Sequence, residues 1–440
     1  MATSATDAER AWVCDALSAY WGSEPNRGLQ LPMPRLRAPY AEAMPPRFTT
    51  VALPEWAEGA GVAGNLLVPI QFLLPGEGPD WARVDWLGAA FWYLHACAER
   101  AFEVENGPIH SFRFRLQGWD DRHWDHAWVN RIGLFLRAWA AREQGMSAET
   151  LFGPVPVPEV VLTHDVDAVR KTWAIRFKQT AFHAFNAFRS LAGLRMREAA
   201  SKFWHAFQFL VQPASYWRFD ELVQMEAQFG RKSRFNFYGG SDSILRRPRD
   251  WLIDPGYSVE TPEIRDAIRT LRAGGYDIGL HPSFAAWNDV DRMASEKTRL
   301  ETALGEPVVQ VRMHWLRFSW ADTWHAQEAC GLRDDSTLGF NDRPGFRAAA
   351  ALAFHPWDAK RQTPMQLTAT PMTLMDSQVY DYHSAEPDER RVIMAKLIRE
   401  VHDVAGKVTI IWHPHVLSPD YGWADGYRDF LHLLVTEGKS

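Results

Sequence analysis

Five residues, Thr163-His164-Asp165-Val166-Asp167, close a short apolar run, Val160-Val161-Leu162, that follows Pro158-Glu159. The run reads as a buried strand whose C-terminal end carries a histidine and two carboxylates. An uncompensated buried anion is costly, so two acids there require a metal ion, a cationic partner or a solvated cleft. Residues two apart in an extended segment point to the same side, so Asp165 and Asp167 can face one pocket while His164 faces away. Other strand-like runs end in similar residues. Asp277–Leu280 runs into His281-Pro282-Ser283, and Val308–Met313 into His314, with Arg317 just beyond. Gly331-Leu332-Arg333 runs into Asp334-Asp335-Ser336, and Val408–Trp412 into His413-Pro414-His415. A barrel of alternating strands and helices gathers its strand C-termini on one face, which brings such residues together as a candidate site.

The positioning elements follow from periodicity. After the linker Gly153-Pro154-Val155-Pro156-Val157-Pro158 the pattern becomes strand-then-helix. Strand-like runs are Glu159–Thr163, Arg234–Tyr238, Tyr276–Leu280, Val308–Met313, Gly331–Asp335, Ala350–Phe354, Met365–Met375 and Lys407–Trp412. Helix-like runs between them include Arg218–Phe229, Thr261–Ala273, Asp289–Leu304 and Asp388–Ala405, with Pro262 and Pro387 as first-turn prolines. Alternation of this kind predicts an α/β fold, a distorted (β/α) barrel of about seven strands over residues 154–440. Residues 1–153 lack the rhythm and read as a smaller, mainly helical or α+β accessory domain. It has apolar helices at Asp85–Phe102 and Trp128–Gln144 and a Pro-rich stretch from Leu31 to Pro46. A basic, aromatic helical insertion interrupts the barrel at 168–215 and could contact an anionic membrane or grip an anionic substrate.

Composition narrows the function classes. A net charge of −6 leaves no electrostatic footprint for nucleic acid. Three cysteines, far apart, argue for a reducing compartment rather than a disulfide scaffold. Met1 to Arg10 carries acids and no apolar run, and no uncharged apolar stretch is long enough to span a bilayer. The expected compartment is the cytoplasm. His123 and His126, beside Asp120-Asp121, lack a supporting pattern and read as surface residues.

In order along the chain, Thr163-His164-Asp165-Val166-Asp167, Gly279–Ser283, Arg312–Phe318, Asp335–Phe340 and Trp412-His413 resemble the motifs of the polysaccharide deacetylase superfamily, carbohydrate esterase family four. The resemblance covers roughly Pro158 to Ser418 and is to a divergent branch with Thr-His-Asp-Val-Asp as its first motif. It implies a hydrolase that removes an N-acetyl group from an amino sugar of a surface glycan precursor, nucleotide-linked or lipid-linked, with a divalent metal, most often zinc. N-formyl or O-acetyl removal is the alternative chemistry.

By the same resemblance, Asp165 would be the general base and Asp167 the acidic metal ligand. His281 would be a second ligand, His413 the general acid, and Arg312 or Arg317 the cation that keeps Asp165 anionic. The family's second histidine falls at Ala285 here, so His314 is assigned as the third ligand. Two rivals are set beside this. In HD-type phosphohydrolases the His-Asp ligands come from helices, whereas His164-Asp165 ends a β-branched run. A non-catalytic carbohydrate-binding descendant is the second rival, and bound metal discriminates it.

Overall fold

The computed structural model describes residues 6–22, 31–36, 44–58, 64–193, 196–241, 248–383 and 385–439. Part of the Pro-rich stretch (37–43) and residues 194–195 of the basic insertion lie outside these.

Eight strands form the main sheet: β1 (Glu159–Val166), β2 (Arg234–Tyr238), β3 (Asp277–His281), β4 (Gln310–Val311), β5 (Asp334–Asp335), β6 (Thr368–Ala369), β7 (Met372–Met375) and β8 (Lys407–Ile411). Their order is β6-β5-β4-β3-β2-β1-β8-β7. The pairs β1–β2, β2–β3, β3–β4 and β5–β6 are parallel. Helices between them include α1 (Trp173–Ala192), α2 (Met196–Val211), α3 (Phe219–Gln228), α4 (Pro248–Ile253), α5 (Pro262–Ala273) and α6 (Val290–Leu304). The expected α/β architecture therefore forms, with eight strands in place of about seven. Strand β2 is buried at all five positions, which is why it reads as a run without alternation.

Several expected runs are shorter than their sequence suggests. Val308–Met313 contributes only β4, Gly331–Asp335 only β5, and Met365–Met375 splits into β6 and β7. Ala350–Phe354 makes no strand. Ala349 turns the chain in the left-handed region (φ 51°), leaving one isolated bridge from Phe354 to Ala369. The apolar helix expected over Asp85–Phe102 is two, Trp86–Leu94 and Cys97–Asn106, broken where Ala96 takes φ 50°.

The chain packs as two compact units. One comprises Met1–Val161, Leu316–Ile410 and Thr436–Ser440, and the other Leu162–Trp315 and Ile411–Val435. The first unit has an antiparallel hairpin, Phe48–Ala52 with Asn65–Pro69, beside an aromatic core that buries Trp86, Trp92 and Trp124. His123 is buried there, its ring 4.9 Å from Trp124, so it is packing rather than the surface residue expected. His126 instead bonds Glu400 at 2.7 Å. Among the described residues no helix is long and apolar enough to cross a membrane.

Glu400 contributes to the acid stability of this unit. Burial pushes its carboxyl up, but the Arg131 guanidinium (2.7 and 2.9 Å) and the His126 ring outweigh burial and hold it at about 2, against an ordinary 4.5. A depressed carboxyl contributes stability above its unfolded pKa, lost as pH falls through the folded one. We expect Glu400→Gln to lower unfolding stability by roughly 2–3 kcal/mol at pH 7, with the difference from the parent shrinking between pH 4.5 and 2. Urea denaturation across that range checks it. A pH-independent difference would show that the ion pair contributes nothing.

Candidate metal centre

All the residues of the centre belong to the second unit. Strand β1 carries Thr163, His164 and Asp165 in succession, and alternation sends His164 and Asp165 to opposite faces. His164 is fully buried. Its Nδ1 donates to the Trp412 carbonyl at 2.5 Å and its Nε2 meets the Glu226 carboxylate of α3 at 2.7 Å. Tyr427 (2.7 Å) and Ser233 (2.9 Å) donate hydroxyls to the same carboxylate. His164 thus ties β1 to α3 and has no place in the cleft.

Asp165, 2% exposed, accepts from the Asn236 amide at 2.7 Å and lies 3.5 Å from an Arg312 guanidinium nitrogen. Arg312 also bonds the Thr163 hydroxyl. Burial pushes the Asp165 carboxyl up, yet Arg312, His281, His413 and the Asn236 amide together outweigh it and hold it below its ordinary value. Sequence reasoning missed Asn236. It lies directly across from Asp165 in the β1–β2 ladder and across from Gly279 in the β2–β3 ladder. A Cβ on Gly279 would sit 2.2 Å from the Asn236 side-chain oxygen. The glycine is what leaves room for the amide to lie across the sheet. A lone amide between two aromatics in a buried run, Phe235-Asn236-Phe237, is the signal that the sequence carries for it.

Just past β1 the chain turns, with the Asp167 N–H bonded to the Asp165 carbonyl at 3.0 Å. Asp167 meets His281 from the end of β3 and His314 beyond β4, and the ligand-type atoms of the three lie within 4.8 Å of one another. Asp167 Oδ1 stands 3.2 Å from His281 Nε2 and 3.3 Å from His314 Nδ1, and the two ring nitrogens are 2.9 Å apart. Atoms bound to a tetrahedral zinc-type ion at 2.0–2.1 Å stand roughly 3.3 Å apart, so the triangle has the size of one face of such a site.

The protonation pattern agrees. His281 Nδ1 donates to the Arg312 carbonyl at 2.7 Å and His314 Nε2 to the Ile253 carbonyl at 3.0 Å. A carbonyl can only accept, so in each neutral ring the opposite nitrogen carries a lone pair, and both lone pairs converge. Asp167 Oδ1 is itself buried without a well-directed hydrogen bond. Two nitrogens and one carboxylate oxygen are a donor set for zinc or a similar divalent ion.

His413, at the end of β8, places Nε2 3.5 Å from the other Asp167 oxygen. Arg312 is the candidate cation that reaches Asp165. Arg317 lies in the other unit, where its charge helps to depress His110. Ala285 precedes a short 3-10 turn, and His314 stands opposite His281 in its stead. Beside the triad opens a cleft of about 470 Å³, lined by Asp167, His314, Trp173, Trp251, Trp315 and Tyr421 among others. Trp315 takes φ 57°, a strained value for a bulky residue, at the turn that carries His314.

No family model matches the sequence, and no curated protein matches it. The fold is similar to that of solved polysaccharide deacetylases. One is the polysaccharide deacetylase Bc1974 from Bacillus cereus, 11% identical, over 64% of this chain and 89% of that one, with a TM-score of 0.31. Another, Agd3, a carbohydrate deacetylase, is 11% identical over 71% of this chain and 54% of its own, at 0.36. A pseudoenzyme of carbohydrate esterase family four from Bacillus anthracis is 12% identical over 67% of each chain, at 0.27.

Proposed function

We propose that the chain is a metal-dependent hydrolase that removes an N-acetyl group from an amino sugar of a glycan precursor, with residues 1–153 as an accessory region. The observation that carries this reading is the convergence of Asp167 Oδ1, His281 Nε2 and His314 Nδ1, with each histidine's other nitrogen anchored on a backbone carbonyl. A divalent ion held there supplies a Lewis acid for a carbonyl and lowers the pKa of water. Asp165, kept anionic by Arg312, takes a proton from the attacking water. His413, near Asp167, gives a proton to the departing sugar amine as the C–N bond breaks and acetate forms. Arg312 positions the base and touches no substrate. Removal of a formyl or O-acetyl group uses the same proton transfers.

The test is elemental analysis of the purified chain, before and after chelation, beside Asp167→Asn and His281→Ala. About one divalent ion per chain, lost in both variants and on chelation, together with acetate release from an N-acetylated amino sugar, is the expected result. A metal-free protein indifferent to zinc, cobalt and nickel would overturn the reading in favour of a carbohydrate-binding role.

A further inference from the structure

Helices α1 and α2 form a hairpin whose packing inverts that of an ordinary soluble pair. The buried positions include Ala187, Ala199, Ala206 and Phe209, while most of the large apolar side chains described on the two helices are exposed. On α1, Trp173, Phe177, Phe185 and Phe188 are each 60–65% exposed and share one face by their spacing. On α2, Phe203, Trp204, Phe207 and Val211, 37–58% exposed, share a second face. Phe188 and Phe203 touch edge to face at 5.1 Å, so the two stripes join into one surface. Contiguous exposed apolar surface of this kind marks an interaction site.

Charge selects the occupant. From Ala168 to Val211 the chain carries eight basic residues and one acid, in a protein whose net charge is −6. Arg170 and Arg197 are exposed. Lys171 is paired with Asp420 at 2.7 Å, but a basic segment with exposed aromatic faces and exposed Arg170 and Arg197 complements the headgroup region of an anionic bilayer. The same surface leads to the metal centre. Trp173 is on the exposed stripe and also lines the cleft, opposite Trp251 and Leu252 of α4, themselves 46% and 57% exposed. Asp167 and His314 line the cleft, and so do Arg170 and Asp254. An apolar path with a guanidinium along it suits an amphiphile, whose chain stays in the bilayer while its anionic linkage meets Arg170 and its sugar reaches the triad.

We propose that the α1–α2 hairpin docks the chain on an anionic lipid surface, and that the cleft takes the sugar head of a lipid-carried, acetylated amino sugar from it. The substrate part rests on the deacetylase reading; the docking part does not.

The metal-loaded full chain is sedimented with vesicles of phosphatidylcholine alone and of phosphatidylcholine with roughly one-third phosphatidylglycerol. Binding to the anionic vesicles only, weakened by salt, is expected. The double variant Phe185→Ser/Trp204→Ser, which alters exposed positions outside the cleft, should bind about tenfold more weakly or worse, with unchanged metal content and circular dichroism. A chain left in the supernatant overturns the docking. So does equal binding to neutral vesicles, or a dimer that the double variant dissociates, which would make the face a contact between copies. In parallel, acetate release is compared between an N-acetylhexosaminyl lipid in vesicles and a water-soluble N-acetylhexosamine oligomer. Release from the lipid, lost in the double variant, supports the substrate class, and release from the soluble sugar alone overturns it. Vesicle binding with release from neither leaves the docking standing and sinks the deacetylase reading.

Discussion

Replacing Asp165 by Asn is expected to cut turnover about 10²–10⁴-fold, the usual contribution of a positioned proton acceptor, while the chain still takes up its ion. Asn is almost the same shape as Asp, and its side-chain oxygen can still accept from the Asn236 amide that now bonds Asp165 at 2.7 Å. What disappears is the negative charge that Arg312, His281 and His413 hold in place. The triad of Asp167, His281 and His314 does not include residue 165, so its ion content is untouched. The measurement pairs kcat with elemental analysis on one preparation. Full turnover with bound metal would remove Asp165 from the role of base, and loss of metal would place it among the ligands.

The second large effect is on stability. Glu226→Ala is expected to cost about 3–5 kcal/mol, as when one partner of a buried ion pair is removed. The Tyr427 and Ser233 hydroxyls and the His164 ring converge on that one fully buried carboxylate. Its truncation strands all three and opens a cavity. Against the roughly 5–15 kcal/mol that folded domains possess, the loss should appear as a marked fall in the urea midpoint, while the folded fraction keeps its kcat. The paired apolar replacement His164→Phe/Glu226→Met should be less destabilising than Glu226→Ala alone, because it removes the stranded ring and fills the space. A midpoint within experimental error of the parent for Glu226→Ala would show the network to be dispensable.

Much of this arrangement is legible in the amino-acid sequence. Apolar runs ending in acids and histidines locate the strands, and prolines at the first turn locate α5 and the helix Pro387–Asp403. Alternation along β1 separates Asp165 from His164. Other features leave no local trace. Ala96 is a strong helix former that nonetheless breaks a helix, because packing overrides propensity. The β4 ladder covers two residues of an expected six, since ladder length depends on what the neighbouring strand offers. Glu226 reads as an ordinary polar residue of an amphipathic helix, and its partner is 62 positions away. Asn236 becomes visible as a partner of Asp165 only through the register of β1, β2 and β3, which aligns the two with Gly279.

Arg312 divides its labour between main chain and side chain. Its carbonyl orients His281, and its guanidinium holds Asp165. The carbonyl belongs to the main chain, whereas the guanidinium is the foremost of the groups that hold the carboxylate charged inside the fold. On the proposed reading, the guanidinium serves the base and the carbonyl serves an ion ligand, so the two roles can be changed separately. On that reading, loss of turnover and loss of the ion would be separate events in the history of such a chain.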